Sequence, residues 1–360
     1  MDICQQILNF YRLYPLMRTQ DYIKLLFQSE FMGGHFIKDE DESLRRILSE
    51  ANVSVTQKSI DENESDDFLN ISRVNIRPFV RAEKNLITLN QIFIKSNLLN
   101  NGNQQDFLNK LSVFTNLVKE KKINLPYLSV KRYINEYISN DCPLLSHSSA
   151  VKLNYYPSYR VVNRDFWFLF DIIDTIESLL NTNLTVTVAI DGNSGAGKSY
   201  FAKVLSNYYQ CNVLSADDFF LPISMRSSDR LKEIGGNIHY ERLRQTLIKM
   251  KDGDAFDYER YDCGSDKFVT KKAIPSRINI VEGCYCLHPY VSDLYNLGVI
   301  LSVNKTEQRR RIISRDGMEK YERYENEWIP LENAYLKLLN SRYPYKKLPI
   351  KKISTDVCDY

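Results

Sequence analysis

Gly192-Asn193-Ser194-Gly195-Ala196-Gly197-Lys198-Ser199 decides how this chain is read. The octet fills every fixed position of the pattern G-x-x-x-x-G-K-[ST]. Its glycines let the backbone curl until consecutive N–H groups point inward, which makes a concave anion site at a helix N-terminus. In such a loop Lys198 brings a point charge between the β- and γ-phosphates of ATP, and the Ser199 hydroxyl offers a ligand to Mg²⁺. The expected cofactor-binding set is therefore Gly192 through Ser199, with Tyr200 next to it on the helix. The flanks agree with this. Leu184-Thr185-Val186-Thr187-Val188-Ala189-Ile190 is rich in β-branched residues and predicts a buried strand, and Ser199 to Leu205 carries apolar residues at helical spacing.

A chain of 360 residues is long enough for two domains with separate cores. A net charge of +3 excludes the field of a nucleic-acid coat, and 43% hydrophobic with 26% charged residues is ordinary for a globular protein. The 7 cysteines include no C-x-x-C pair, so they predict reduced thiols and no zinc knuckle. No basic stretch with a following apolar core opens the chain, and the apolar run Phe166 to Phe170 is interrupted by Asp171. The expectation is a cytoplasmic protein with no membrane span.

Residues 1–160 read as a mainly helical (α+β) N-terminal domain. Ile7, Phe10, Tyr11 and Tyr14 fall at helical spacing before Pro15, and a second helix runs from Thr19 towards Gly33-Gly34. Ser43 to Ala51, Ala82 to Leu99, Asp106 to Lys119 and Ser129 to Ile138 read as further helices. Residues 54–67 read as a loop, Leu69 to Val80 as a strand or hairpin, and 141–163 as irregular. One helix is expected from Arg164 to Leu180. Residues 161–360 then alternate as parallel α/β folds do, with strands at Cys211 to Ser215, Arg277 to Gly283, Leu297 to Val303 and within Leu348 to Ser354. Helical patterns run from Tyr240 to Met250 and from Lys305 to Ser314. The site belongs at the carboxyl ends of the strands.

Phosphoryl transfer needs positioning and charge neutralisation more than covalent help. Asp217-Asp218 follows a strand, where a carboxylate can accept the proton of an incoming hydroxyl or orient it; both residues could equally cap the next helix. Glu282 ends an apolar strand and is placed to reach Mg²⁺ directly or through water. Arg309, Arg310, Arg311 and Arg315 lie on or just beyond a helix that could close as a lid over ATP. A helix spreads successive arginines over different faces, so a solvated face paired with Glu307, Glu319 and Glu322 competes with that reading.

Taken together, Gly192 to Ser199, Ser215-Ala216-Asp217-Asp218-Phe219-Phe220-Leu221-Pro222, Gly235 to Arg242, Tyr261-Asp262-Cys263, Val281 to Tyr285, and Arg310 to Arg315 leading to Trp328-Ile329-Pro330-Leu331-Glu332 resemble the uridine kinase family. That family lies within the group that includes phosphoribulokinase and pantothenate kinase, and the match spans about residues 184–340. The resemblance implies a P-loop NTPase-like parallel sheet wrapped by helices and ATP-dependent phosphorylation of a hydroxyl on a nucleoside-like small molecule. It implies Asp217 as base, Glu282 as metal-side carboxylate, and Arg310, Arg311 and Arg315 as lid. Asp218, Tyr240, Glu241, Tyr261 and Asp262 would line the acceptor pocket. His239 stands where many small bacterial relatives carry Asp, and Asp266 where nucleoside-specific members have His, which leaves the acceptor open.

Two other function classes are compatible with parts of the chain. A nucleotide-gated switch would need the loop but no acceptor-side carboxylate. An RNA-directed kinase or RNA-binding protein would use the cations and aromatics of Arg342 to Lys347 with Lys351-Lys352, against the overall charge balance. Homo-oligomerisation is left open. The N-terminal part resembles a domain found fused to such kinases in some bacteria. It carries polar clusters at Glu30 to His35, Ser146-His147-Ser148 and Tyr155 to Arg160. If His35 and His147 met, they would make a second site for a metal or a phosphate, although isolated histidines are more often structural.

Overall fold

The computed structural model describes residues 2–33, 37, 39–54, 65–81, 84–341, 348–356 and 358. The chain divides into two compact units, Met1–Asp171 and Ile172–Tyr360. His35 and the basic-aromatic stretch 342–347 lie outside the described residues.

The first unit is mainly helical. Its helices are α1 (Ile3–Leu13), α2 (Thr19–Phe31), α3 (Glu40–Ser54), α4 (Ile76–Arg81), α5 (Leu86–Leu98), α6 (Gln104–Lys119), α7 (Tyr127–Ser139), α8 (Ser149–Tyr155) and α9 (Arg164–Phe168). A core of Ile7, Tyr22, Leu26, Phe107, Phe114 and Ile134 joins α1, α2, α6 and α7. Strands β1 (Ser65–Phe68), β2 (Ile71–Asn75) and β3 (Tyr159–Asn163) form an antiparallel sheet with β2 central.

Several expectations change here, the first at 65–67, where the expected loop gives way to β1. The pattern over Leu69 to Val80 is a strand only to Asn75 and then turns into α4. The segment expected to be irregular contains α8 and β3. Strand β3 gains its hydrogen bonds from β2, more than eighty residues earlier (Ile71↔Asn163, Asn75↔Tyr159), so no local signal announces it. The helix expected from Arg164 breaks at Leu169, with α10 (Phe170–Leu180) following.

The second unit is built on a five-stranded parallel sheet in the order β10-β9-β4-β8-β5. Its strands are β4 (Val186–Gly192), β5 (Val213–Ser215), β8 (Ile278–Glu282), β9 (Leu297–Ser302) and β10 (Ile350–Ser354). Every residue of β4 and β8 is buried, as a sheet covered on both faces requires. The helices of this unit include α11 (Lys198–Tyr209), α12 (Ser228–Lys232), α13 (Tyr240–Asp252), α14 (Lys305–Asp316), α15 (Met318–Arg323) and α16 (Ile329–Asn340). This is the parallel α/β sheet wrapped by helices that the sequence predicts. An antiparallel hairpin, β6 (Phe256–Asp262) with β7 (Lys267–Ala273), stands apart from the sheet and was not expected. Exposed charged residues dilute its alternation, so it lacks a clean period-two signal.

Register fixes which strand ends meet. Ile190 pairs with Glu282, Ser215 pairs with Glu282, and Gly192 pairs with Leu301. The carboxyl ends of β4, β5 and β8 therefore share one rim of the sheet. At Gly192 the backbone has φ of 142°, and an added Cβ would lie 2.2 Å from the Leu301 carbonyl oxygen. Only glycine fits a strand exit that is both left-handed and pressed against its neighbour. Gly192→Ala should therefore lower stability by about 1–3 kcal/mol, seen as a reduced denaturant midpoint. Gly264→Ala, whose Cβ would meet nothing nearer than 3.6 Å, should change it by less than about 0.5 kcal/mol.

Candidate functional site

The loop of residues 192–197 joins β4 to α11. Gly195 and Gly197 sit at φ of 77° and 87°, which turns the chain sharply into the helix N-terminus at Lys198. Lys198 folds over the loop, its Nζ donating to the carbonyls of Gly192 (2.9 Å) and Asn193 (3.0 Å). Burial works against this ammonium, but the carboxylates of Glu332, Asp191 and Asp217 around it hold its pKa above the usual lysine value. Tyr200 lies one residue beyond Ser199, its ring edge-on to Phe201.

Ser199 Oγ donates to Glu282 Oε2 at 3.0 Å, and Ser215 Oγ donates to Glu282 Oε1 at 3.0 Å. Glu282 thus joins the loop helix to the end of β5. Burial and the nearby charge of Asp217 push its carboxyl up, against Lys198 and the two serine hydroxyls. Asp217 opens the 3₁₀ turn Ala216–Phe219, its amide N–H capped by Ser215 Oγ at 3.4 Å. The residue is exposed, with the chain packed close around it. That crowding and the adjacent Asp218 raise its carboxyl, while Lys198 and Arg315 draw it down. Lys198, Ser199, Asp217 and Glu282 therefore share one electrostatic neighbourhood at the rim.

Asp218 takes a different part from its neighbour. Buried, it accepts the Tyr258 hydroxyl (2.8 Å) and Lys271 Nζ (3.1 and 3.0 Å), with Arg260 Nε 3.5 Å away. The carboxylate pins the β6–β7 hairpin to the 3₁₀ turn. Tyr261 is buried on that hairpin, its hydroxyl accepting the Ile223 amide (3.2 Å) and donating to Asp266. Asp262 caps the hairpin turn through Gly264 N (3.1 Å) and Ser265 Oγ (2.8 Å). Tyr240 is buried and stacks on His288 with ring centroids 3.9 Å apart, whereas Glu241 is exposed beside His239 at 3.1 Å. In this structure Asp218, Tyr261 and Asp262 are thus engaged with the chain's own groups.

The arginines separate in the same way. Arg310 forms a two-pronged pair with Glu307 on its own helix, at 2.7 and 2.6 Å. Arg311 is nearly buried and braces the loop from behind. It bonds Glu307 (2.6 Å), the Gly195 carbonyl (3.2 Å), the Thr355 carbonyl (2.6 Å) and the Cys358 carbonyl (2.8 Å). Arg315 pairs with Asp316 at 2.8 Å and the Tyr324 hydroxyl at 3.1 Å, and of these arginines it alone lowers the Asp217 carboxyl. The three side chains do not converge as one lid. A helix rotates successive residues by about 100°, and Thr355 and Cys358, just beyond β10, hold the Arg311 guanidinium.

Some residues that shape the loop escaped the sequence reading. Glu332 accepts both the Ser194 amide (2.9 Å) and its hydroxyl (2.5 Å). Gln308 Nε2 donates to the Ser194 carbonyl at 2.8 Å, and Thr355 Oγ1 to that of Ala196 at 3.1 Å. Asn193 Nδ2 donates to Asn333 Oδ1 at 2.9 Å. Asp191, fully buried, accepts the amides of Gly192 (2.7 Å), Tyr285 (3.1 Å) and Leu287 (2.8 Å) and the Tyr335 hydroxyl (2.6 Å). A lone Asp at the end of an apolar strand was its only signal.

No family model matches the sequence. Among solved structures the chain is similar to a candidate fructose transport system kinase from Silicibacter sp. TM1040, with 17% identity and a TM-score of 0.40 over 46% of this chain and 93% of that one. It is also similar to a candidate uridine kinase from Bacillus stearothermophilus, with 18% identity and a TM-score of 0.36 over 50% of this chain and 99% of that one.

Asp191 orders the rim, and its removal has a definite cost. Asp191→Ala would remove an acceptor from three amides and a hydroxyl, so it should destabilise by about 3 kcal/mol. Tyr335→Phe removes one charge-assisted bond and should cost about 1.5–3 kcal/mol. Chemical unfolding of the two variants beside the parent chain measures both.

Proposed function

We propose that this chain transfers the γ-phosphate of ATP to a hydroxyl of a nucleoside-like small molecule. The observation that carries the reading is the meeting of a lysine, a serine and two carboxylates at the ends of β4, β5 and β8, beside a glycine loop opening a helix. A bare anion site needs no acceptor-side carboxylate, and a lone carboxylate needs no glycine cradle.

The residues present suit a nucleotide phosphate tail with a divalent cation. Gly195 and Gly197 hold the left-handed turns of the cradle, and the oxygens of Ser199 and Glu282 are hard donors suited to a cation that shares phosphate oxygens. Mg²⁺ bound there would neutralise charge on the β- and γ-oxygens. The loop amides and the helix N-terminus would orient the phosphates, and Lys198 would swing from the loop carbonyls onto them. Asp217 would align the acceptor hydroxyl. As its oxygen bonds to the γ-phosphorus, the bond to the β–γ bridging oxygen breaks, ADP leaves with that electron pair, and the hydroxyl proton passes to Asp217. Arg315, close enough to feel Asp217, would offset charge on the moving phosphoryl group, while Arg311 keeps the loop in shape. Tyr240, Glu241, Tyr261 and Asp262 belong to the acceptor side in this reading, with Asp218 holding the hairpin that carries the last two. Among the described residues no helix is long and apolar enough to cross a membrane.

The test is a coupled ADP-release assay of the purified chain against nucleosides and other hydroxyl metabolites, with and without Mg²⁺. Turnover with a nucleoside that requires Mg²⁺ is expected, and no turnover with any acceptor would sink the proposal. Lys198→Ala should abolish ADP release, and Asp217→Asn should slow it by about 10²–10⁴-fold with the fold intact. Asp217 works ionised and its carboxyl is raised. Activity should therefore be full above that raised pKa and fall as pH drops through it, at a higher pH than an ordinary Asp would give. Asp217→Asn should remove this acid limb. Wild-type rates in Asp217→Asn that remain fully acceptor-dependent would contradict its role as base.

A further inference from the structure

The first unit contains a polar pocket that plays no part in the phosphoryl-transfer reading. Residues from α2, the β sheet and the segment around α8 enclose a cavity of about 50 Å³. Its chemistry is concentrated in Asp21, Asp66, Arg73, Arg77, His147 and Tyr159. Asp21 is fully buried and accepts the amides of Arg18 and Ser148, each at 2.9 Å. His147 Nδ1 lies 3.1 Å from Asp21 Oδ1, and its Nε2 lies 2.7 Å from the Tyr159 hydroxyl. An Asp–His–Tyr chain therefore runs to the pocket wall, with Gln28 Oε1 accepting from Tyr159 at 3.2 Å.

Arg73 makes this more than a structural network. Its guanidinium lies over the Tyr159 ring, 4.2 Å from the centroid, and also faces the rings of Phe10 and Tyr14 at 5.7 and 5.9 Å. Tyr159, Asp66 and Tyr14 hold the Arg73 charge against burial, yet its Nε is closed off from solvent with no hydrogen-bond partner among the described residues. A buried guanidinium nitrogen left without a partner carries a desolvation cost that an anion in the adjoining cavity would offset.

We propose that this pocket binds the carboxylate group of a small organic acid, with Arg73 as its counter-ion. Charge balance selects the class. Arg73 and Arg77 on the lining are matched in number by Asp21 and Asp66. A monoanion can be balanced by one proton, whereas a phosphate dianion would leave excess negative charge beside two carboxylates.

Tyr159 gives the binding a proton signature. Burial would raise its phenol, but Arg73, His147 and Lys24 draw it down to about 7. A phenolate at Tyr159 competes with the ligand for Arg73, and a bound carboxylate leaves Tyr159 protonated as a donor. Binding then takes up a proton, so affinity rises as pH falls through about 7. The charged or titratable groups facing Tyr159 are Asp21 and Lys24 from α2, Tyr14 beyond α1, Asp66 from β1, Arg73 from β2, Arg77 from α4, and His147 with Tyr155 around α8.

The experiment is calorimetric titration of the purified full chain with acetate, with lactate and with inorganic phosphate, each in two buffers of different ionisation enthalpy. Saturable binding of a monocarboxylate with proton uptake near neutral pH, and weaker binding of phosphate, is expected. Arg73→Gln should weaken carboxylate binding about tenfold or more. Tyr159→Phe should keep the binding and lose most of the proton uptake. Absence of saturable carboxylate binding by the parent chain, tighter binding of phosphate, or unchanged affinity in a folded Arg73→Gln would overturn the proposal. If Arg73→Gln does not fold, the parent titration and the proton count in Tyr159→Phe decide it, since undiminished proton uptake in that variant would contradict the competition. None of these readouts depends on phosphoryl transfer, so the two proposals fail independently.

Discussion

A single buried carboxylate organises the rim on which the second unit's chemistry depends. Asp191 closes β4 and collects the amides of Gly192, Tyr285 and Leu287 together with the Tyr335 hydroxyl. Those donors come from the start of the glycine loop, the turn after β8, and α16. Hydrogen bonds of this kind are strong in a low-dielectric interior, and burial raises the carboxyl that receives them. The loop begins where it does because Asp191 holds its first amide, and the turn after Glu282 is fixed by the same atoms.

From that anchor the loop is shaped largely from behind. Glu332 and Gln308 hold Ser194, Arg311 holds the Gly195 carbonyl, and Thr355 holds that of Ala196. These partners lie more than a hundred residues downstream of the loop. A phosphate cradle works by presenting amides already aimed inward, and such aim requires that the outward carbonyls be satisfied. The C-terminal helices and strand meet that requirement, so their polar residues support function without touching a substrate. On the front face, Glu282 receives both Ser199 and Ser215, which couples the loop helix to the strand that presents Asp217.

The two adjacent aspartates illustrate how environment divides labour between like residues. Asp217 is exposed and feels the charges of Lys198 and Arg315. Asp218 faces the other way, into Tyr258, Lys271 and Arg260, and secures a hairpin. In the first unit a comparable division separates Asp21, which accepts two amides and faces His147, from Arg73, whose Nε has no hydrogen-bond partner among the described residues.

Local pattern alone determined the parallel sheet, the glycine loop at the end of a buried strand and the order of loop, Asp217, Glu282 and arginines along the chain. Each of these rests on short-range spacing: a β-branched run, the G-x-x-x-x-G-K-S octet, a carboxylate at a strand end. Only the tertiary structure decided that β3 pairs with β2, that β6 and β7 make a hairpin, and that Arg311 braces the loop while Arg315 reaches Asp217. It also decided the tasks of Asp191, Glu332 and the Asp21–His147–Tyr159 chain. The reason is physical. Periodicity records which face of an element is apolar, but a polar side chain's task depends on the partner that burial brings to it, and those partners lie far away along the sequence.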